Sequence, residues 1–181
     1  IAITFIFGLS GCLSTKNQNP TTDETVQSLI LQRKFEEARI AFQKQKDINE
    51  TDINGNTVLH AAAKVNNGEL VTFFISMGAS TELKNNESDT PLHVAIKNDS
   101  VEAAEILAAV NSDIFARDAV GKTALELGIE KGQLFFSAMI TTRTGELRDN
   151  AGQSIIHYFV KNLNTAAIDY AILKKIPIDT P

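Results

Sequence analysis

Residues 90–95 read Thr-Pro-Leu-His-Val-Ala, and related copies of this stretch recur along the chain at a nearly fixed distance. Residues 57–62 (TVLHAA) lie 33 positions earlier, residues 123–128 (TALELG) lie 33 positions later, and residues 154–159 (SIIHYF) follow after a further 31. A polar residue stands five positions before each copy, at Asp52, Asn85, Asp118 and Asp149. A period of this length predicts a solenoid, in which each repeat packs against its neighbours.

Each copy contains the signals for one turn and the start of a short helix. The residues that open the copies are hydroxyl residues suited to capping a helix, namely Thr57, Thr90, Thr123 and Ser154. Pro91 follows the cap, where its fixed φ suits the first helical position. Glycines suited to a positive φ at the tip of a hairpin are Gly55, Gly121 and Gly152. We therefore expect an all-α fold of stacked antiparallel helix pairs joined by β-hairpin-like loops.

The apolar residues at equivalent places predict the core of this stack. Those expected between neighbouring repeats are Leu59, Leu92, Leu125 and Ile156. Small residues that let the paired helices approach are Ala62, Ala63 and Ala95. Residues expected to fill the stack from the second helices are Phe73, Phe74, Ile106, Leu107, Leu134, Phe135, Phe136, Met139, Ile140, Tyr170 and Ile172. Because one repeat cannot bury both of its apolar faces, the last copy is expected to expose one, and we expect the natural protein to extend beyond both ends of this sequence.

These residues resemble ankyrin repeats, whose pattern is Asp-x-x-Gly-x-Thr-Pro-Leu-His followed by a Leu/Val-rich second helix and a Gly-Ala turn. The resemblance covers residues 52–181, divided into copies at 52–84, 85–117, 118–148 and 149–181. Two departures are Ser88 in place of the turn glycine and Glu126 in place of the histidine. Residues 23–51 lack the signature but read as a helix pair with a polar outer side, started by Asp23 or Thr25. We expect this segment to be a divergent N-terminal capping repeat.

The N-terminal residues have a different character. Residues 1–8 are almost entirely apolar and uncharged, which is too short for a spanning helix but fits the core of a signal peptide. Residues 9–12 read Leu-Ser-Gly-Cys, which resembles the lipobox of bacterial lipoproteins. The resemblance implies a signal peptide at residues 1–11, a lipidated Cys12 and a location in the bacterial cell envelope, with the outer membrane favoured. The polar residues that follow predict a flexible tether over residues 12–22.

Composition narrows the classes of function. The net charge of -5 and the pI near 5.2 argue against binding to a phosphate backbone, which requires a basic surface. The single cysteine, Cys12, excludes an intrachain disulfide and a zinc-finger spacing. His60, His93 and His157 occupy one position in different repeats, so we expect each imidazole to bond hydroxyls or loop backbone rather than a metal. We expect no cofactor and no catalytic activity, and a monomeric chain.

In ankyrin proteins, partners dock on the hairpin tips and on the inner face of the first helices. The resemblance therefore implies that the partner-binding residues are Ile53, Asn54, Asn56, Asn86, Glu87, Asp89, Val94, Lys97, Val120, Lys122, Leu127, Lys131, Asn150, Gln153 and Tyr158. Among them, Val94, Leu127 and Tyr158 are expected to form an exposed apolar stripe. The sequence leads to a membrane-anchored lipoprotein that binds another protein without catalysis. The alternatives are a periplasmic accessory or immunity-type protein that inhibits or protects one enzyme, and a targeting module for an enzyme encoded further along the gene.

Overall fold

A computed structural model of the chain describes residues 25–110, 112–140, 147–162 and 164–176. The predicted signal peptide, Cys12, the tether and the alternative cap Asp23 lie outside the described residues. In the described part the chain forms ten α-helices: α1 (Val26–Leu31), α2 (Phe35–Phe42), α3 (Val58–Lys64), α4 (Gly68–Ser76), α5 (Pro91–Lys97), α6 (Val101–Ala109), α7 (Ala124–Lys131), α8 (Gln133–Met139), α9 (Ile155–Lys161) and α10 (Thr165–Leu173).

The helices form five antiparallel pairs arranged in two layers. The first helices of successive pairs, α1, α3, α5, α7 and α9, pack side by side in an inner layer. The second helices α4, α6, α8 and α10 pack side by side in an outer layer, and each helix also packs on the partner of its own pair. The extended backbone pairs that the described residues contain are two isolated bridges, between Arg117 and Thr123 and between Arg148 and Ser154. The predicted all-α solenoid of stacked helix pairs is confirmed.

The hairpins between pairs are stapled by the recurring Asp or Asn. In the first of them, the Asp52 N–H donates to the Asn56 carbonyl (2.9 Å), and the Asp52 carboxylate accepts from the backbone N–H groups of Asn54 and Asn56. The same three bonds recur at the hairpins that begin with Asn85, Asp118 and Asp149. These recurring polar residues are therefore structural parts of the hairpins. At the tip, φ is +76° at Gly55 and +60° at Ser88, so Ser88 adopts the conformation for which the other copies use glycine.

Helix starts follow the predicted caps. The Thr25 hydroxyl accepts from the Ser28 N–H at 3.1 Å, which makes Thr25 the cap of α1. Thr57, Thr90 and Thr123 each accept from the backbone N–H three residues later, and the side chain of that later residue bonds the cap's own N–H. In the third of these capping boxes the partner is Glu126 instead of a histidine, and its carboxylate accepts the Thr123 N–H at 2.9 Å. Glutamate is the usual partner in a capping box, so this departure keeps the helix start intact.

The core between repeats lies where the pattern predicted it, with exceptions set by helix phase. Leu59, Leu92 and Leu125 are fully buried, whereas Ile156 in the last repeat is half-buried. Two residues that the sequence assigned to the core are exposed instead. Leu134 is 69% exposed because Phe135, Phe136 and Met139 form the inward face of α8, and Ile172 is 52% exposed because Ala167 and Ala171 form that of α10.

The α7–α8 pair packs around a glycine. The position that is Ala62 or Ala95 in earlier repeats is Gly128 here, inside α7. A Cβ added at Gly128 would overlap the methyl group of Met139, which reaches across from α8. Gly128 therefore makes room for Met139, which is itself fully buried.

The last repeat presents apolar side chains on its outer surfaces. Ile155, Phe159, Ala167 and Ala171 are buried, but Val160 is 55% exposed and Leu173 is 76% exposed. The apolar face expected at the last copy is therefore only partly present. Within the described residues, no helix has both the length and the apolar character needed to cross a bilayer.

Candidate protein-interaction surface

The hairpins and the inner helices border a concave groove of about 510 Å³. Its walls come from three successive repeats, which contribute the hairpin tips and the last turns of α1, α3 and α5. The lining residues with polar side chains are Asn54, Asn56, His60, Lys64, Asn85, Asn86, Glu87, Asp89, Lys97 and Asn98. The groove is thus a polar surface, rich in amide groups that both donate and accept hydrogen bonds.

Neighbouring hairpin tips are joined by hydrogen bonds. The Asn86 N–H donates to the Asn54 carbonyl (3.0 Å), and the Asn86 side-chain amide donates to the Ile53 carbonyl (3.1 Å). One repeat further, the Ala119 N–H donates to the Glu87 carbonyl at 3.3 Å. These bonds hold the tips in a row, with Ile53 left 94% exposed. The next exposed apolar residue along the row is Val120, at 78%.

Lys97 connects two hairpins at the floor of this surface. Its ammonium lies 2.6 Å from the Asp89 carboxylate and 3.1 Å from that of Asp118, and both aspartate side chains are almost fully buried. Burial disfavours the charge on Lys97, but the hydrogen bonds to the two carboxylates outweigh it and raise the lysine pKa. Burial likewise opposes ionisation of Asp118, yet Lys97 and the backbone N–H groups of its hairpin lower its pKa. The prediction of Asp89 as an exposed tip residue is wrong, because it is 2% exposed.

The predicted apolar stripe is not exposed either. Val94 is 7% exposed and Tyr158 is 2% exposed, while Leu127 is half-buried. The Tyr158 hydroxyl donates to the Asp149 carboxylate at 2.9 Å, and its ring packs 5.3 Å from that of Phe115. Burial, followed by the bond to Asp149, raises the pKa of Tyr158 to about 12. The sequence pattern placed these side chains in solvent by their helix position, but Phe115 and Asp149 of the neighbouring hairpins cover Tyr158.

The other predicted contact residues lie on the tips and on the inner helices. Those that are exposed are Asn54, Asn86, Glu87, Lys131, Asn150 and Gln153, and those that are half-buried are Asn56 and Lys122. Lys131 lies 2.6 Å from Asp99, and Lys122 lies 2.7 Å from Glu130. Their role in partner binding stays a prediction.

The histidines link each helix start to the next hairpin. Nδ1 of His60 accepts the Thr57 N–H (3.1 Å), so Nε2 carries the proton and donates to the Asp89 carbonyl of the following repeat (2.9 Å). His93 bonds Thr90 in the same way, and its Nε2 lies 3.4 Å from the Lys122 carbonyl. Burial lowers the pKa of both histidines below the ordinary value of 6.5. Bonding to hydroxyl and loop backbone, which the sequence predicted, is confirmed for these two.

The last repeat contains the pair that most resembles catalytic machinery. Nδ1 of His157 lies 2.9 Å from the Ser154 hydroxyl, as a base lies beside a nucleophile. The same Nδ1 accepts the Ser154 backbone N–H at 3.0 Å, so the pair is the helix start seen at Thr57 and His60. Within the described residues, Nε2 of His157 bonds no further group that would orient it. Nor do the described residues bring three or more His, Cys, Asp or Glu side chains together as a metal site would require.

A cluster of arginine and aspartate side chains between the last two hairpins was missed by sequence reasoning. A pocket of about 200 Å³ there is lined by Phe115, Arg117, Arg148 and Asp149 among others. Arg117 and Arg148 each immediately precede the hairpin aspartate, as Lys84 precedes Asn85. This recurrence was the signal that could have revealed the cluster.

Comparison with known proteins identifies ankyrin repeats in this chain. The family model described as "Ankyrin repeats (3 copies)" matches residues 15–118, more than half of the chain. The chain is similar to interferon antagonist OPG039 of Monkeypox virus, with 30% identity over 139 residues that cover 76% of this chain and 48% of that protein. It is also similar to Rabankyrin-5 of Mus musculus (29% over 123 residues, 66% of this chain and 10% of that protein). For NF-kappa-B inhibitor alpha of Gallus gallus, the identity is 33% over 92 residues, 49% of this chain and 29% of that protein.

The chain spans about half of the first of these relatives and a smaller share of the other two. The matching family model covers the first helix pairs, and the recurring hairpins, capping boxes and paired layers continue beyond it to residue 173. Repeats of this kind indicate a protein–protein interaction module. The chain therefore belongs to the ankyrin-repeat family.

Proposed function

We propose that this chain binds a protein partner without catalysis, through the row of hairpin tips and the concave groove beside it. The observation that carries the proposal is the exposure of Ile53 and Val120 on tips that are stapled internally and bonded to their neighbours. An apolar side chain held rigidly in solvent loses little conformational freedom when a partner covers it. The polar groove next to the tips supplies donors and acceptors that fix the partner's orientation.

The tip residues can be tested directly. The double variant Ile53→Ser/Val120→Ser should lose a specific protein that the wild-type chain captures from an extract of the cells that produce it, by about tenfold or more. The matched control is Leu134→Ser/Leu173→Ser, which removes two apolar residues of the outer layer that are 69% and 76% exposed and should capture the same protein normally. Equal capture by both variants would contradict the assignment of the tips.

We further propose that the module is held at a bacterial membrane by a lipid on Cys12, with residues 1–11 as a signal peptide and residues 12–22 as a tether. The support is the Leu-Ser-Gly-Cys sequence that follows an uncharged apolar run. The outer membrane is favoured, with the repeats facing the periplasm or the exterior. Cys12→Ala should move the protein from the membrane fraction to the soluble fraction and abolish labelling by a radioactive fatty acid. Labelling that persists in this variant would contradict the anchor.

A second candidate is a periplasmic accessory or immunity-type protein that inhibits or protects a specific enzyme. It is favoured by two relatives whose names describe an antagonist and an inhibitor. Capture of one enzyme at the tips, with a change in that enzyme's activity that Ile53→Ser/Val120→Ser abolishes, would select this candidate. Capture of a non-enzymatic partner would select the simple interaction module.

A further inference from the structure

The outer layer contains a second surface, at the end nearest the N-terminus. Helices α4, α6, α8 and α10 pack side by side, but α2 meets α4 through aromatic rings: Phe42 lies 6.1 Å from Phe73 and 5.2 Å from Phe74. A groove of about 550 Å³ therefore remains open between these two helices. Its lining residues come from α2, the loop that follows α2, and the end of α4, and no residue of the hairpin at 52–56 is among them.

The floor of this groove is apolar and partly open to solvent. Phe42, Phe73 and Ile48 are half-buried along it, and Met77 is 55% exposed at its edge. Ile40 on the exposed side of α2 adds a further apolar side chain, at 56% exposure. This end of the domain therefore exposes a group of phenylalanine, isoleucine and methionine side chains. Moving such side chains out of water lowers the free energy.

The rim of the groove is cationic. Arg39 and Lys46 line it, and no Asp or Glu is among the described residues that do so. The Arg39 guanidinium stands 5.7 Å from the centroid of the Phe73 ring, which keeps it above the apolar floor. Of the acidic residues on α2, Glu37 lies 4.0 Å from Lys34, and on α4 Glu69 precedes Phe73 by one turn.

Charge is distributed unevenly along the fold. Residues 25–49 contain five basic and three acidic side chains, described residues 50–147 contain six basic and thirteen acidic, and described residues 148–176 contain four basic and two acidic. An anionic surface would therefore attract the two ends of the fold and repel its middle. The α2–α4 end differs from the other end by its groove and by its place next to the tether in the sequence.

We propose that the α2–α4 groove, defined by Arg39, Phe42, Lys46, Phe73 and Met77, docks on an anionic lipid bilayer. Cations over exposed apolar side chains match the headgroup region, where phosphate lies above the acyl chains. The inference rests on the membrane location proposed above. A tether of about ten residues keeps the domain within roughly 20 Å of a lipid on Cys12, and α1 and α2 are the first helices after it. Docking by this end leaves the hairpin tips free for a protein partner.

The chain has no tryptophan, which allows one to be placed as a local reporter. In a Cys12→Ala background that carries no lipid, Met77→Trp should show a blue shift of emission, and reduced quenching by iodide, on mixing with vesicles of phosphatidylglycerol and phosphatidylcholine. Vesicles of phosphatidylcholine alone should leave it unchanged, and added salt should reverse the shift. The comparison reporter Leu173→Trp, at a position of the last repeat that is 76% exposed against 55% for Met77, should not respond.

The charge requirement is tested in the same reporter. Arg39→Glu/Lys46→Glu should weaken the vesicle response about tenfold or more, whereas Lys174→Glu/Lys175→Glu, an equal change of charge in the last repeat, should leave most of it. Phe42→Ser would perturb the fold, so Ile40→Ser, at an exposed position, tests the apolar contribution and should weaken the response. A response that is equal for both reporters, or equally reduced by both charge variants, would overturn the proposal. So would a Met77→Trp reporter that ignores anionic vesicles, while fatty-acid labelling of Cys12 would separately decide the anchor.

Discussion

The first ankyrin signature and the last one both start their inner helix with a hydroxyl residue and a histidine, but the histidine makes different bonds in the two repeats. Nδ1 of His60 and Nδ1 of His157 each accept the backbone N–H of the helix cap, at 3.1 and 3.0 Å. Nε2 of His60 also reaches the carbonyl of the next hairpin, whereas within the described residues Nε2 of His157 has no such partner. The comparison separates two roles of the histidine. Its Nδ1 caps its own helix, and its Nε2 bonds that helix to the neighbouring repeat.

The apolar residues also differ between the inner repeats and the last repeat. Leu92 and Leu125 are covered by repeats on both sides, whereas Val160, Ile172 and Leu173 in the last repeat are more than half exposed. The described helices have six to nine residues and are too short to be stable alone in water, so packing against neighbouring repeats supplies most of their stability.

The largest difference in unfolding free energy between the inner repeats and the last repeat is expected from their apolar residues. Leu92→Ala should lower the free energy of unfolding by about 2–5 kcal/mol, because it leaves a cavity between two repeats. Leu173→Ala, at a site that is 76% exposed, should change it by less than about 0.5 kcal/mol. Urea denaturation followed by circular dichroism measures both, and similar losses for the two variants would contradict the packing of Leu92 between repeats.

The second-largest difference in unfolding free energy is expected between a buried and an exposed ion pair of the inner surface. Lys97→Met leaves the buried carboxylates of Asp89 and Asp118 without their cation, and we expect a loss of about 2 kcal/mol, reduced from a fully buried pair because Lys97 itself is part-exposed. Lys122→Met removes a solvent-exposed pair with Glu130 and should cost less than about 1 kcal/mol. If the two losses measured by denaturation were equal, the Lys97 bridge would not be holding the hairpins together.

The histidines allow a direct comparison of the two repeats. His60→Ala removes the acceptor of the Thr57 N–H and the donor to the Asp89 carbonyl, for an expected cost of about 1–3 kcal/mol. Among the described residues, His157→Ala removes only the bond within its own helix start, and we expect it to cost about half as much. Thermal unfolding of both variants checks the order, and a larger loss at His157 would show that the bond between repeats contributes little.

The smallest effect is expected from pH. Because burial lowers the pKa of His60 and His93 in the folded state, the unfolded chain binds protons first as the pH falls below 6.5. Stability contributed by the neutral histidines is therefore complete above pH 6.5 and declines on acidification toward their folded pKa values. Melting temperatures measured from pH 7.5 to pH 5.5, roughly one unit either side of the histidine value, should fall less in His60→Gln/His93→Gln than in the wild-type chain. If the melting temperature fell equally in the variant and the wild-type chain, the pH dependence would arise from groups other than these two histidines.

The repeat period was sufficient to predict the order of elements, the caps, the glycine tips and the role of the hairpin aspartates. Helix phase was harder to predict: Leu134 and Ile172 were assigned to the core because a run of apolar letters does not show which of two adjacent residues points inward. The candidate site was predicted less well than the fold. Val94, Asp89 and Tyr158 were expected on the surface, but contacts between repeats, such as Tyr158 with Phe115, depend on residues over 40 positions apart that no local pattern connects.

Amide hydrogen exchange followed by mass spectrometry tests most directly whether the repeats are stabilised by covering one another. If they are, peptides from α5 and α6 (residues 91–109), which have repeats on both sides, should exchange more slowly than peptides from α9 and α10 (residues 155–173). The difference should shrink in Leu92→Ala. Exchange that is equally slow in both regions, or slower in the last repeat, would contradict stabilisation by neighbouring repeats.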